Sequence, residues 1–335
     1  MMGLEMIEGK KIFMTGGAGF IGSSLAGRLL DANEIIIYDN LTRNSLQDTH
    51  FRDHRNLTLV QGDVLDYEKL ARSMRGADIV IHLAAIAGID TVIRSPIMTM
   101  KVNLMGTLNM LEAAAAQDHL DRVIDFSTSE VFGSYSFRSE ENDSTALGAV
   151  GNARWTYAVS KLAGEHLAYS YCKEKGLPVL SIRPFNIYGP GQTGEGAIHD
   201  FIVSALQNRD ITIHGDGDQI RSWCYIDDMV DGIMLCLTRP EAIGNCFNIG
   251  NPKGTITVHG LALAVVRVTY SKSRLLYVPK QYADVELRIP SITKAKKVLG
   301  YEPKIGLEEG LRRTATWYYG KFFNRKVNQA EYIAG

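Results

Sequence analysis

Lys11-Ile12-Phe13-Met14-Thr15-Gly16-Gly17-Ala18-Gly19-Phe20-Ile21-Gly22 is the stretch on which the fold turns. Lys11 to Met14 reads as a short apolar strand, and a helical pattern carries on past the last glycine to Leu30. Glycines 16, 19 and 22 have the spacing G-x-x-G-x-x-G, with Phe20 and Ile21 inside the turn. Backbone that must lie close to a pyrophosphate needs residues without a Cβ. The helix that follows aims its first amides and its positive dipole end at the phosphates. A strand before and a helix after is the setting such a turn requires.

Working outward, the second strand, Glu34 to Tyr38, ends in Asp39-Asn40. Asp39 lies about twenty residues beyond the glycines, where a carboxylate accepts hydrogen bonds from ribose hydroxyls and repels a 2′-phosphate. NAD is therefore favoured over NADP, with Arg43 the nearby cation that argues the other way. Leu57 to Val60 makes a third strand, and Asp63-Val64 follow it within reach of an adenine amino group. Ile79 to Ala85 reads as a fourth, apolar throughout like a strand buried on both faces of a parallel sheet. Small residues at Ala84 and Ala85, after Leu83, would let ribose and pyrophosphate lie against its end. His82, in mid-strand, reads as a satisfied core histidine. A helix rich in Leu and Ala over 103–116 leads to a fifth strand, Arg122 to Phe126. Strands alternating with helices predict an α/β chain with a Rossmann-type doubly wound parallel sheet.

The totals narrow the partners. In 335 residues, 36 Lys and Arg balance 37 Asp and Glu, which leaves no electrostatic footprint for nucleic acid or an anionic membrane surface. With 45% hydrophobic residues a sizeable core is easily buried. The four cysteines show no metal-ligand spacing, so no metal is expected and the chain reads as a reduced, cytoplasmic protein. No signal peptide or membrane-spanning run is expected either.

The fifth strand delivers Ser127-Thr128-Ser129-Glu130 to the end of the sheet where ligands bind. Thr128 offers a hydroxyl to a substrate oxygen and Glu130 a carboxyl that can carry a proton. Further on, Tyr157 and Lys161 are spaced four apart and share one helix face. The lysine cation is expected to draw the tyrosine pKa down from about 10, so that the phenol can serve as a general base.

Taken together, these motifs resemble the extended short-chain dehydrogenases/reductases, and more narrowly their nucleotide-sugar epimerases, dehydratases and decarboxylases. The run Arg183-Pro184-Phe185-Asn186-Ile187-Tyr188-Gly189-Pro190, the stretch from Gly215 to Arg221, and Tyr225-Ile226-Asp227-Asp228 are similar to that group too. The resemblance spans about 10 to 315. It implies that Tyr157 is the base, that Lys161 holds the nicotinamide ribose, and that Thr128 completes the triad. It implies a tightly bound, recycled NAD, a nucleotide-diphospho-sugar substrate (a UDP-sugar by preference) and a homodimer.

On this reading Asn186 reaches the substrate diphosphate, and the segment Gly194 to His199, with Ile198, meets the base. Arg221 is a phosphate ligand, since a guanidinium matches two phosphate oxygens at once, and Arg288 is a second candidate. Residues 134–153 read as an irregular loop over the active site, and Leu177 to Arg183 as a sixth strand. Cys246 to Gly250 reads as a strand that returns to the sheet. The expected division is 10–184 with about 225–250 for the NAD-binding domain, and about 185–224 with 251–320 for a smaller, discontinuous α/β substrate domain. A tail at 321–335 is assigned nothing.

Thr128-Ser129-Glu130 resembles the dehydratases and the uronate decarboxylases. Arg154-Trp155 resembles one group of decarboxylases, although the insertion rich in His and Pro is not evident. All routes begin with oxidation at C4. The sequence puts an NDP-sugar 4,6-dehydratase first, with Glu130 moving protons at C5 and O6. A 4-epimerase, a UDP-glucuronate decarboxylase and, more remotely, a non-catalytic NAD-sensing protein are the alternatives.

Overall fold

The computed structural model describes residues 6–280 and 285–323. The first half contributes β1 (Lys11–Thr15), α1 (Phe20–Leu29), β2 (Glu34–Asp39), β3 (Leu57–Gln61), α2 (Tyr67–Met74) and β4 (Ile79–His82). Then come α3 (Ile89–Arg94), α4 (Pro96–Met100), a π-helical turn at Lys101–Met105, α5 (Gly106–Ala115) and β5 (Arg122–Phe126). The second half begins with β6 (Tyr135–Ser139), α6 (Thr156–Lys175), β7 (Val179–Pro184), β8 (Ile187–Tyr188), α7 (Ala197–Leu206) and β9 (Ile211–His214). It continues with β10 (Ile220–Ser222), β11 (Cys224–Tyr225), α8 (Ile226–Thr238), β12 (Cys246–Ile249) and β13 (Thr255–Thr257). Last are α9 (Val258–Val268), β14 (Leu275–Val278), β15 (Leu287–Pro290) and α10 (Leu307–Phe323).

Seven strands form one parallel sheet in the order β12-β7-β5-β4-β1-β2-β3. The chain reverses direction across the sheet between β1 and β4, which opens a crevice beyond their carboxyl ends. Helices cover both faces: α1 and α8 pack against each other on one, α2, α5 and α6 on the other. Every residue of β4 and β5 is buried, as a doubly covered strand demands. The core on the α1 side runs without a break from Ile12 and Leu25 into Phe201, Ile213 and Val265 of the second half. The two halves are thus coupled through shared packing.

Three expectations change. β4 stops at His82, which leaves Leu83 to Ala85 as loop, and β7 begins at Val179. The stretch 134–153 is not wholly irregular, because β6 lies in it and pairs with β15 in a four-stranded sheet ordered β13-β10-β15-β6. In β6 the aromatic residues Tyr135 and Phe137 face out while Ser136 is buried, the reverse of the pattern by which a strand is normally read. No helix of the described residues is long and apolar enough to cross a membrane.

Candidate active site

The glycine turn is built as a cradle. Gly16 sits at φ +69°, and a Cβ there would lie 2.4 Å from the Ala84 amide nitrogen, so only glycine can hold this bend against the strap of chain that follows β4. Gly19 leads into α1, whose first turn has neither an acidic residue nor a side-chain cap. Its amides are therefore left to an anion, with Phe20, Ile21 and Gly22 forming that first turn. At the end of β2, Asp39 accepts from the amides of Ala18 at 3.0 Å and Leu41 at 2.7 Å. Each oxygen keeps a lone pair for a ribose hydroxyl. Burial raises the Asp39 pKa and the two amide bonds oppose the rise. Asn40 turns to the Thr42 amide, while Asp63 caps the Leu65 amide from an exposed position. The Val64 carbonyl is held by Asn109. Cradle, amides and carboxylate fit NAD.

Asn103 was not singled out in the sequence. It is fully buried in the π-helical turn, accepts from the Ile86 amide at 2.8 Å and donates to the Ile86 carbonyl at 3.0 Å. Its amide also donates to Ser160 at 3.1 Å, so one side chain ties the strap after β4 to the helix that carries Tyr157. His82 is the satisfied core histidine expected of it. Its ring lies between Thr15 at 2.6 Å and Thr107 at 3.0 Å, and burial pushes its pKa down to about 3.

At the reacting edge, α6 carries Tyr157 and Lys161. The Thr128 hydroxyl accepts from the Glu130 amide at 3.2 Å and is hydrogen-bonded to the Tyr157 phenol. The bond to the phenol pulls the Tyr157 pKa down, as donation of the Thr128 proton to the phenol oxygen does. Ser129 is buried in the short turn between them. The electrostatics differ from expectation. Burial first, and Glu130 second, hold the Tyr157 pKa above its ordinary value, with the Thr128 bond working against them. The Lys161 ammonium donates to the Phe126 carbonyl at 2.5 Å instead of acting on the phenol. Burial lowers its own pKa, and Asp125 and Glu165 resist that fall.

Glu130 is clamped. Arg154 donates to both its oxygens, at 2.5 and 3.1 Å, and Arg288 stands 3.8 Å away. The Arg154 side chain is 3% exposed and that of Arg288 4%, so both guanidinia act in a poorly solvated place. Arg288 also donates to the Gly133 carbonyl at 2.9 Å. These two contacts place it beside Glu130 and the turn after β5. Arg221, its neighbour in register on β10, spends its guanidinium on the carbonyls of Ile220 and Val285. Asn186, at φ +43°, donates to the Ser222 carbonyl at 2.9 Å. The Ile198 side chain is 1% exposed and belongs to the core, so any contact to a ligand there falls to the backbone at the start of α7.

Known proteins share this arrangement. The profile of the NAD dependent epimerase/dehydratase family matches residues 12–250. The UDP-N-acetyl-alpha-D-glucosaminuronate decarboxylase of Bacillus cytotoxicus is 33% identical over 319 residues, 92% of this chain and 98% of that protein. A UDP-glucuronic acid 4-epimerase from Bacillus cereus, solved with UDP-glucuronic acid and NAD, superposes with a TM-score of 0.85 at 29% identity, covering 93% of this chain and 100% of that one. A double mutant of the dTDP-glucose 4,6-dehydratase from Streptomyces venezuelae, solved with NAD, gives 0.85 at 30% identity, covering 93% and 99%. Glycine cradle, ribose carboxylate and Tyr157–Lys161 helix thus stand in a chain that belongs to the NAD-dependent epimerase/dehydratase family, within the extended short-chain dehydrogenases/reductases.

Proposed function

We propose that the protein decarboxylates a UDP-linked hexuronate through a 4-keto intermediate. The observation that carries this reading is the fixed pairing of Glu130: Arg154 holds both its oxygens, and Arg288 stands 3.8 Å away. A carboxylate held in that way is a poor proton shuttle for dehydration, and an edge of the crevice lined by two buried guanidinia suits a sugar that carries a C6 carboxylate. The uronate named in the description of the Bacillus cytotoxicus relative supports the same substrate class.

NAD, held by the glycine cradle and Asp39, supplies reversible hydride chemistry at C4. Tyr157, as phenolate, takes the proton of the C4 hydroxyl, and the Thr128 hydroxyl bonded to its oxygen stabilises that phenolate before the transfer. The ketone so formed is β to the C6 carboxylate. When CO2 leaves, the electrons of the C5–C6 bond delocalise onto O4, where the Tyr157 and Thr128 hydroxyls stabilise them. A proton then replaces CO2 at C5.

Dehydration, which the sequence placed first, asks Glu130 to take a proton from C5 and deliver one to O6. A carboxylate with both oxygens on Arg154 must give up a guanidinium bond each time it does so. Epimerisation needs only rotation of the ketosugar and return of hydride to its other face, which gives Glu130 no task. Incubation with UDP-glucuronate and UDP-N-acetylglucosaminuronate should release CO2 and yield the corresponding pentose. A C4 epimer from these uronates without CO2, or a 4-keto-6-deoxy sugar from UDP-glucose or dTDP-glucose, would overturn the reading.

A further inference from the structure

We propose that Glu195 is the residue that retains the cofactor, fastening the loops after β2, β4 and β8 across the mouth of the crevice. All three loops leave the carboxyl ends of strands, where the glycine turn and Asp39 lie. The loop after β2 is already tied to the turn, since the amides of Ser45 and Leu46 donate to the Ala18 carbonyl at 2.8 and 3.1 Å. From that loop Arg43 reaches to 3.5 Å from Glu195 Oε1. From the segment after β4, the Thr91 hydroxyl donates to Oε1 at 2.7 Å and the Asp90 amide to Oε2 at 3.2 Å. A second contact, between the Ser45 and Thr193 hydroxyls at 3.2 Å, runs beside the first.

The Glu195 carboxylate and the Arg43 guanidinium close over the segment after β4 at a left-handed residue that favours glycine. Gly88 sits at φ +103°, and a Cβ on it would lie 2.5 Å from Glu195 Oε2 and 2.9 Å from Arg43 Nη2. The same segment is rooted at its start by Asn103, which grips Ile86 and Ser160. The contacts therefore close a ring from the glycine turn through Arg43, Glu195, Thr91 and Asn103 to the helix of Tyr157. Two consequences follow. Cofactor exchange requires the ring to open at Glu195, which suits a cofactor reduced and reoxidised within one turnover. Arg43, the cation that could have favoured a 2′-phosphate, is directed at a carboxylate instead.

The inference rests on NAD binding and is independent of which sugar is turned over. Enzyme loaded with NADH is chased with excess NAD⁺, and loss of bound-NADH fluorescence gives the release rate. Glu195→Ala should release NADH about tenfold faster or more, as expected when a charged hydrogen-bonding partner is removed. Glu195→Gln keeps an acceptor for Thr91 and should fall between that variant and the parent. Thr91→Val should move the rate in the same direction, which guards against a folding defect peculiar to position 195. Melting curves of the cofactor-free variants that overlay the parent assign the change to release alone. Release at the parental rate in both Glu195 variants and in Thr91→Val would overturn the proposal.

Discussion

On the function proposed above, the two ends of the crevice recognise their ligands by different means. At the nucleotide end, the recognising groups are mostly backbone: a turn at Gly16, the first amides of α1, and one carboxylate at Asp39, all within residues 16–39. At the sugar end they are side chains brought from Thr128, Glu130, Arg154, Tyr157 and Arg288, which span 128–288. Backbone recognition is tied to a local chain path and serves any member of a fold. Side-chain recognition from distant segments can change one residue at a time, which is how a single scaffold comes to host several reactions.

The largest break in this contrast should come at the sugar end. Arg154→Met keeps the side-chain stem and removes the clamp, leaving Glu130 with Arg288 alone. Glu130 then loses the partner that orients it, and kcat should fall by about a hundredfold, or about 2.7 kcal/mol of barrier. NAD affinity, read by fluorescence titration, should stay at the parental value. A parallel loss of NAD affinity would show that the two ends are not separable.

Gly16→Ala is the converse test, with a smaller effect. The new Cβ strikes backbone at Ala84 in a φ region that alanine avoids. Strain of about 1–3 kcal/mol should weaken NAD about ten- to hundredfold. At saturating NAD, kcat should be little changed. A variant that binds NAD normally would show that the bend is not part of the cradle.

The smallest effect on activity and cofactor binding is expected at His82, the buried ring that joins β1 to α5 between the two ends, whose influence falls on stability. Its folded pKa of about 3 lies below its ordinary 6.5. Unfolding lets it take up a proton below about pH 6.5, so its contribution to stability is lost as pH falls from there towards about 3. The loss is up to about 1.4 kcal/mol per unit. Relative to the parent, His82→Gln should therefore resist urea better and better as the pH falls through that window. Parallel stability curves for the two proteins would exclude His82 as the source of the slope.

Legibility followed the same division. The glycine turn, Asp39 and the alternation of strands and helices could be read because each is local: a spacing of three, a strand end, an apolar run. Tyr157 and Lys161 were visible for the same reason, being one helical turn apart. Arg154 drew notice only by resemblance, and its hold on Glu130, 24 residues back, left no pattern in the chain. Arg288 lies 158 residues beyond Glu130, and nothing local distinguishes an arginine that faces a sugar from one that faces a phosphate. Asn103 was hidden in a run of Leu, Met and Ala, where the only available signal was a polar residue on an otherwise buried face. β6 was missed because its buried position is a serine and its exposed positions are aromatic.

The sequence by itself determined the parallel sheet, the glycine turn that fits NAD, and the Tyr157–Lys161 pair, since backbone conformation and neighbouring residues on one helix are properties of short segments. The tertiary structure alone decided that Glu130 is clamped between Arg154 and Arg288, and that Glu195 draws three loops together. Both are matters of charge at distances of 2.5–3.8 Å between residues far apart in the chain, and such distances exist only once the core has folded.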